Sequence, residues 1–211
     1  FAFYECLTFS TYPLVTHYQD DAAKRAGRIY MGILVSTSVC LLLAGVIGVW
    51  YFTGSMDFVQ GGILRGKVDN TTLAILLALF AFGTGKAALL PFHKWLPNAM
   101  VAPTPVSALL HAVAVVKAGV FTIMKVVVYI FGIDLLAETG ASEWLMAVAA
   151  TTILFTSCVA LTKDNLKARL AYSTISQLSH IVLGAAMSNA AGAIGGSMHI
   201  VMHAMGKIKL F

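Results

Sequence analysis

LLHAVAVVKAGVF, Leu109 to Phe121, sits inside a run from Pro105 to Gly132 that is apolar almost throughout, yet it carries His111 and Lys117, with Lys125 close behind. A lysine at the centre of a bilayer costs about 2.5–3.5 kcal/mol on insertion scales. A chain that places an ammonium there needs a polar interior to receive it. Whether the run is a membrane span, and what its lysines face, decides the fold and the function together.

Composition answers the first question. Of the 211 residues, 59% are hydrophobic and only 11% charged, and the mean hydropathy is +0.84. A soluble domain is about 45–50% apolar and about 25% charged. Too little polar surface exists to coat a globule, so the bilayer is the natural solvent. The length allows about seven spans of roughly 20 residues each. The formal charge is +5, but Glu5, Lys86, Lys117, Lys125, Lys207 and Lys209 all lie in apolar runs, so most of the net charge is intramembrane. No basic block with interleaved aromatics offers a nucleic acid a seat. Cys6, Cys40 and Cys158 fall far apart without motif spacing, which argues against a disulfide framework or metal site. They are expected as small buried hydrophobes.

Hydropathy places spans at Phe1–His17, Ile29–Phe52, Thr71–Pro91, Val106–Phe131, Trp144–Leu161 and Leu166–Met187, with a seventh from Gly192 to the end. The fold class expected is all-α, a polytopic transmembrane bundle with one discontinuous helix. The chain forms a single domain over residues 1–211. It opens on an apolar FAFYECLTFS and closes inside a helix, as an internal piece of a longer membrane protein would. Loops after spans one, three and five carry Lys24, Arg25, Arg28, Lys94, Lys163, Lys167 and Arg169, whereas the opposite loops carry only Arg65 and Lys67. The positive-inside rule then puts the first set in the cytoplasm, in a bacterial inner or plasma membrane.

FGTGKAALLP puts Gly83, Gly85 and Pro91 around Lys86. A helix broken inside a membrane needs partners for its freed backbone groups, and such breaks mark ion sites in transporters. Pro97, Pro103 and Pro105 then end one helix and start the next, Pro105 suiting a first turn. At 1.5 Å per residue, Glu5, Lys86, Lys117, His180 and Lys207 lie about 17–22 Å deep, towards the middle of a core about 30 Å thick. His199, His203 and Lys207 are spaced i, i+4, i+8, which stacks them on one helix face. His111 and Lys117 are near enough to border one cavity. Each alone has a bland reading, a core histidine or a structural ion pair such as Glu5 with Lys86. Together they point to a proton path along Glu5, Lys86, Lys117, Lys207, His111, His199 and His203, with histidines and water carrying protons between lysines. Lys125 and Lys209 either snorkel or border a cavity, and His180 is an accessory candidate. The histidine pair lacks further ligands, so no metal is expected.

These blocks resemble a known family: the antiporter-like membrane subunits of respiratory complex I, membrane-bound hydrogenases and Mrp-type cation/proton antiporters. GTGKAALLPFHKWLPNAMVAPTPVSALLHAVAVVKAGVF, DNLKARLAYSTISQLSHI, HIVMHAMGKIKLF and ECLTFSTYPLV carry the likeness. TYPLVTHYQDDAAKRAGRIYMGIL and MHAMGKIKLF resemble the D-type subunits of the Mrp antiporters most. The resemblance implies a fourteen-helix fold, with four helices before Phe1 and three after Phe211. It assigns Glu5 to the family's glutamate helix, Lys86 to the broken helix, Lys117 to the connecting lysine, and His199, His203 and Lys207 to the eleventh helix. Trp95, Pro97, Pro103 and Pro105 match the loop that shapes the break. Lys209 and His180 depart from the pattern, standing where an uncharged residue and an aromatic are usual.

The function implied is a proton-conducting subunit of an antiporter complex exchanging a monovalent cation such as Na⁺ for H⁺: a transporter subunit, not an enzyme in itself. The alternative is a proton-pumping subunit of an NADH:quinone oxidoreductase or hydrogenase, with redox centres in other subunits. A structural scaffold is the third reading. Expected partners are other membrane subunits, lipid, protons and Na⁺, with no cofactor and no nucleic acid.

Overall fold

The computed structural model describes residues Phe1–Leu210, all of whose regular elements are helical. Phe211, where the last predicted span ends, lies outside them. Helix α1 (Ala2–Val15) is followed by α2 (Asp21–Thr37), a π-helical turn (Ser38–Leu42) and α3 (Leu43–Thr53). These last three make one rod, Asp21–Thr53, of 33 residues. It starts earlier than the predicted Ile29 because the polar DAAKR turn is capped: Asp20 accepts a hydrogen bond from Ala23 N at 2.6 Å, satisfying a first-turn donor. Hydropathy marks the lipid crossing, not the helix. The rod stops at Gly54, in the left-handed region with φ 72.

The third span behaves as its glycines predict. Helix α4 (Asn70–Gly83) ends, Thr84 turns, and a 3-10 turn (Gly85–Ala87) carries Lys86. The helix does not reach the predicted Pro91. Short α5 (Trp95–Asn98) and a further 3-10 turn (Ala99–Val101) follow, and Pro103 then caps α6 (Thr104–Ala108), with Pro105 in its first turn.

The fourth span differs from a single continuous helix. A π-helical turn (Leu109–Val113) and a bend at Ala114, φ −98 and ψ −77, separate α6 from α7 (Val115–Val126), and a second π turn (Val127–Phe131) closes it. Wider turns of this kind recur at functional sites. The offset between His111 and Lys117 is therefore not the one a straight helix gives. Beyond lie α8 (Ile133–Thr139), α9 (Glu143–Leu161), α10 (Leu166–Ala186) and α11 (Ala190–Leu210). Asp21–Thr53, Thr104–Phe131 and Glu143–Leu161 are each long and apolar enough to cross a membrane; Asn70–Gly83 is apolar but shorter, because of the break.

Helix α7 is the hub, packed against α1, α4, α10, α11 and the Lys86 turn, while α9, α10 and α11 stack in sequence. Gly119 explains the closest approach: a Cβ there would lie 2.5 Å from Lys86 C and Ala87 N. Gly83 does the same on the other side, where a Cβ would sit 2.3 Å from Leu42 N. The outer faces carry Ile47, Trp50, Leu154, Met198 and Met202, all exposed apolar side chains of the kind a bilayer or a neighbouring subunit covers. Cys6, Cys40 and Cys158 are exposed as well, not buried as expected. Each lies on the outward side of its helix, where a small apolar residue serves as well as in a core.

Candidate functional site

Two groups of buried ionisable side chains lie on either side of the Gly119 contact. The first joins α1 to the broken helix. Lys86 is wholly buried. Its Nζ lies 3.9 Å from Glu5 Oε1, donates to Tyr4 O at 2.5 Å and sits 3.1 Å from the Tyr4 ring centroid. Both Glu5 oxygens are buried and accept no hydrogen bond from the described residues. A buried carboxylate without such bonds is costly, so the lysine charge is its compensation.

The break that delivers Lys86 is held by aromatics. Trp95 is buried and donates its Nε1–H to Gly85 O at 2.9 Å, adding to the bond that this carbonyl accepts from Ala88 N at 3.0 Å. Tyr30 meets Trp95 edge-on at 5.5 Å, and its hydroxyl is 2.6 Å from Thr11 Oγ1. A continuous set of contacts therefore ties α1, α2 and α5 to the turn. Ala88 follows with φ 56, and the Leu90–Pro91 peptide is cis. Pro97 lies within α5.

The second group joins α7 to α11. Lys117 Nζ is 2.5 Å from His203 Nδ1. An ammonium can only donate, so His203 accepts on Nδ1 and carries its hydrogen on Nε2. His199 stacks on His203, ring centroids 6.1 Å apart, and shares a 2.8 Å hydrogen bond with Gln177 Oε1, the amide oxygen accepting. Lys207, one helical repeat further on, donates to Leu170 O at 3.1 Å and Ser173 Oγ at 3.2 Å. His111 is wholly buried in the π turn, within electrostatic reach of Lys207. The i, i+4, i+8 stripe thus serves two partners: its middle histidine meets α7, and its two ends meet α10.

The accessory candidates stand apart. His180 is exposed, bonded to Ser176 O at 2.9 Å, with its ring 6.3 Å from that of His199. Lys125 lies over the Phe58 ring at 4.0 Å, beside an apolar cavity of about 400 Å³ that Tyr4 also lines. Lys209 is exposed. Among the described residues no cluster of three or more histidine, cysteine or acidic side chains could hold a metal. Tyr4, Gln177 and Ser173 went unnoticed in the sequence. Tyr4 adjoins Glu5, and Gln177 lies in SQLSH, but uncharged polar residues in apolar helices are too common to single out.

The profile of one family, "NADH:quinone oxidoreductase/Mrp antiporter, TM", matches residues 1–211. The chain belongs to that family. A probable K(+)/H(+) antiporter A/B subunit of Rhizobium meliloti is 33% identical over 99% of this chain and 21% of its own length. The NAD(P)H-quinone oxidoreductase chain 5 of Synechocystis is 37% identical over 81% of this chain and 25% of its own. The fold agrees with the Mrp complex from Dietzia sp. DQ12-45-1b, with TM-score 0.85 and 30% identity over 98% of this chain and 22% of that one. An archaeal membrane-bound sulfane sulfur reductase complex gives TM-score 0.83 at 27% identity, over 98% of this chain and 42% of that one. The chain thus spans about a fifth to two fifths of the length of these relatives. As an antiporter-like family member with apolar transmembrane helices, it is an integral membrane protein.

Proposed function

We propose that residues 1–211 form a proton-conducting domain of an antiporter-like subunit that exchanges a monovalent cation for H⁺. The observation that carries this reading is the contact between Lys117 Nζ and His203 Nδ1 at 2.5 Å, a proton donor set against an acceptor in the buried interior. A proton leaving Lys117 enters the imidazole at Nδ1, and the Nε2 proton is free to pass on, so the ring relays without moving far. Lys207 lies within electrostatic reach of Lys117. A proton arriving on one therefore repels the proton on the other, and low dielectric strengthens that push. On the other side of Gly119, Glu5 and Lys86 form the loading pair. Ordered water would bridge Lys86 to Lys117, which share no direct contact in the structure, as water bridges commonly do.

Na⁺ is the cation we favour, within a complex of membrane subunits. The Rhizobium relative's name points to K⁺, so exchange should be measured with both. The loops bearing Lys24, Arg25, Arg28, Lys94, Lys163, Lys167 and Arg169 face the cytoplasm in this reading, and the likeness to the D-type Mrp subunits rests on TYPLVTHYQDDAAKRAGRIYMGIL and MHAMGKIKLF. A redox-driven subunit is the second reading, supported by the likeness to quinone oxidoreductase chain 5. Everted vesicles holding the full-length complex separate these. Acidification driven by a Na⁺ or K⁺ gradient and indifferent to NADH supports the antiporter. Acidification that needs NADH supports the redox machine. A scaffold predicts that Lys117→Ala and Lys86→Ala alter assembly alone; loss of transport in assembled complex rejects that.

A further inference from the structure

Tyr4 touches Lys86 three times over. Its carbonyl accepts from Nζ at 2.5 Å, its ring face lies 3.1 Å from the same atom, and its hydroxyl accepts the Lys86 backbone N–H at 3.4 Å. The next residue, Glu5, holds its carboxylate 3.9 Å from that ammonium with no hydrogen bond to either oxygen among the described residues. The two neighbours on α1 thus offer one cation two different seats. One is occupied, and the other is about 1 Å short of the usual length of a charge-assisted bond.

We propose that Tyr4 is a positioning residue that competes with Glu5 for the Lys86 ammonium and so sets whether the buried ion pair is open or closed. This rests on the relay reading above. In the open arrangement the ammonium rests on the Tyr4 carbonyl and ring face, which hold a cation without accepting its proton. In the closed one, the ammonium crosses to the Glu5 carboxylate. The carbonyl belongs to the backbone and survives any substitution, so the side chain contributes the ring, which holds the ammonium, and the hydroxyl, which meets only the Lys86 backbone N–H. Lys86 cannot step away by moving its main chain, because Gly119 packs directly on it. Without the ring, the ammonium stays on Glu5 and the pair closes for longer.

The test uses the full-length subunit in its assembled complex, in everted vesicles, with complex content measured by blotting. A surface cation–π contact to a partly desolvated one predicts a change between about twofold and thirtyfold. Tyr4→Leu should lower cation-driven proton flux within that range at unchanged complex content. Tyr4→Phe, which keeps the ring, should restore most of what Tyr4→Leu loses. Should Tyr4→Leu fail to assemble, Tyr4→Met offers similar bulk without a ring. Flux equal to the parent in the ringless variants overturns the proposal, as does equal loss in Tyr4→Phe, which would assign the effect to the hydroxyl. Lys86→Ala separates the two levels. If Lys86→Ala abolishes flux while Tyr4→Leu leaves it at the parent level, only the role of Tyr4 falls; if Lys86→Ala retains flux, the relay itself falls.

Discussion

Lys117 and His203, 86 residues apart in sequence, meet at 2.5 Å across the α7–α11 boundary, both almost fully buried. Their contact joins the helix that packs on the Lys86 turn to the one that carries Lys207. The pair should act as one unit, so removing either removes the function of both. Lys117→Ala, His203→Ala and the double variant should each lower proton-linked exchange at least about tenfold, a loss of about 1.4 kcal/mol in barrier terms. The double variant should be no worse than the singles. Fluorescence of a pH dye in everted vesicles measures this, and additive losses would argue for two separate sites.

Gly119→Ala should damage the site from a position that carries no charge. The added Cβ would meet Lys86 C and Ala87 N at 2.5 Å, so α7 must retreat or the turn must shift. Overpacking of this kind costs about 1–3 kcal/mol. A lowered melting temperature of the purified complex, together with reduced flux, is the expected outcome. Gly206→Ala is the control, because its Cβ meets nothing within 4 Å.

Trp95→Phe retains the ring over Tyr30 but removes the donor to Gly85 O. Gly85 O keeps the bond from Ala88 N at 3.0 Å, so the loss is that of one hydrogen bond, about 0.5–1.5 kcal/mol. The turn carrying Lys86 should loosen, giving faster hydrogen–deuterium exchange over residues 84–90 than in the parent complex. Unchanged exchange there would remove Trp95 from its role as the brace of the break.

Asp69, at the N-terminus of α4 and outside the spans, receives a short hydrogen bond from the Thr72 hydroxyl, which holds its carboxyl below the usual carboxylate range. A depressed folded pKa contributes stability that is present above the unfolded value and is lost as pH falls through the folded one. Thr72→Val should therefore lower thermal stability slightly near neutral pH and make no difference below the carboxylate range. Melting curves of parent and variant at both pH values check the sign.

Much of this was legible in the sequence because membranes impose few rules. Apolar runs located the spans, and Gly83 and Gly85 beside Lys86 located the break. The i, i+4, i+8 stripe correctly placed His199, His203 and Lys207 on one side of α11. What stayed hidden depends on geometry that periodicity does not encode. The π turns at Leu109 and Val127 leave no compositional mark, so the register between His111 and Lys117 could not be read from spacing. The charged start of α2 was hidden by its polarity, although Asp20 signals the cap. The exposure of the cysteines leaves no mark in the sequence, because lipid-facing and core-facing positions accept the same small apolar residues. Tyr4 could be found only once α1 was seen against the Lys86 turn.

The glycine contacts that pin this turn, Gly119 of α7 on one side and Gly85 against Thr37 on the other, also fix the radius of its carrier. With the main chain wedged on both sides, Lys86 can sweep its charge only on the tether of its own side chain, about 6 Å from Cα to Nζ when extended. Any acceptor outside that sphere is beyond its direct reach. The spacing between buried lysines is thus a gauge of how many water molecules each transfer must recruit.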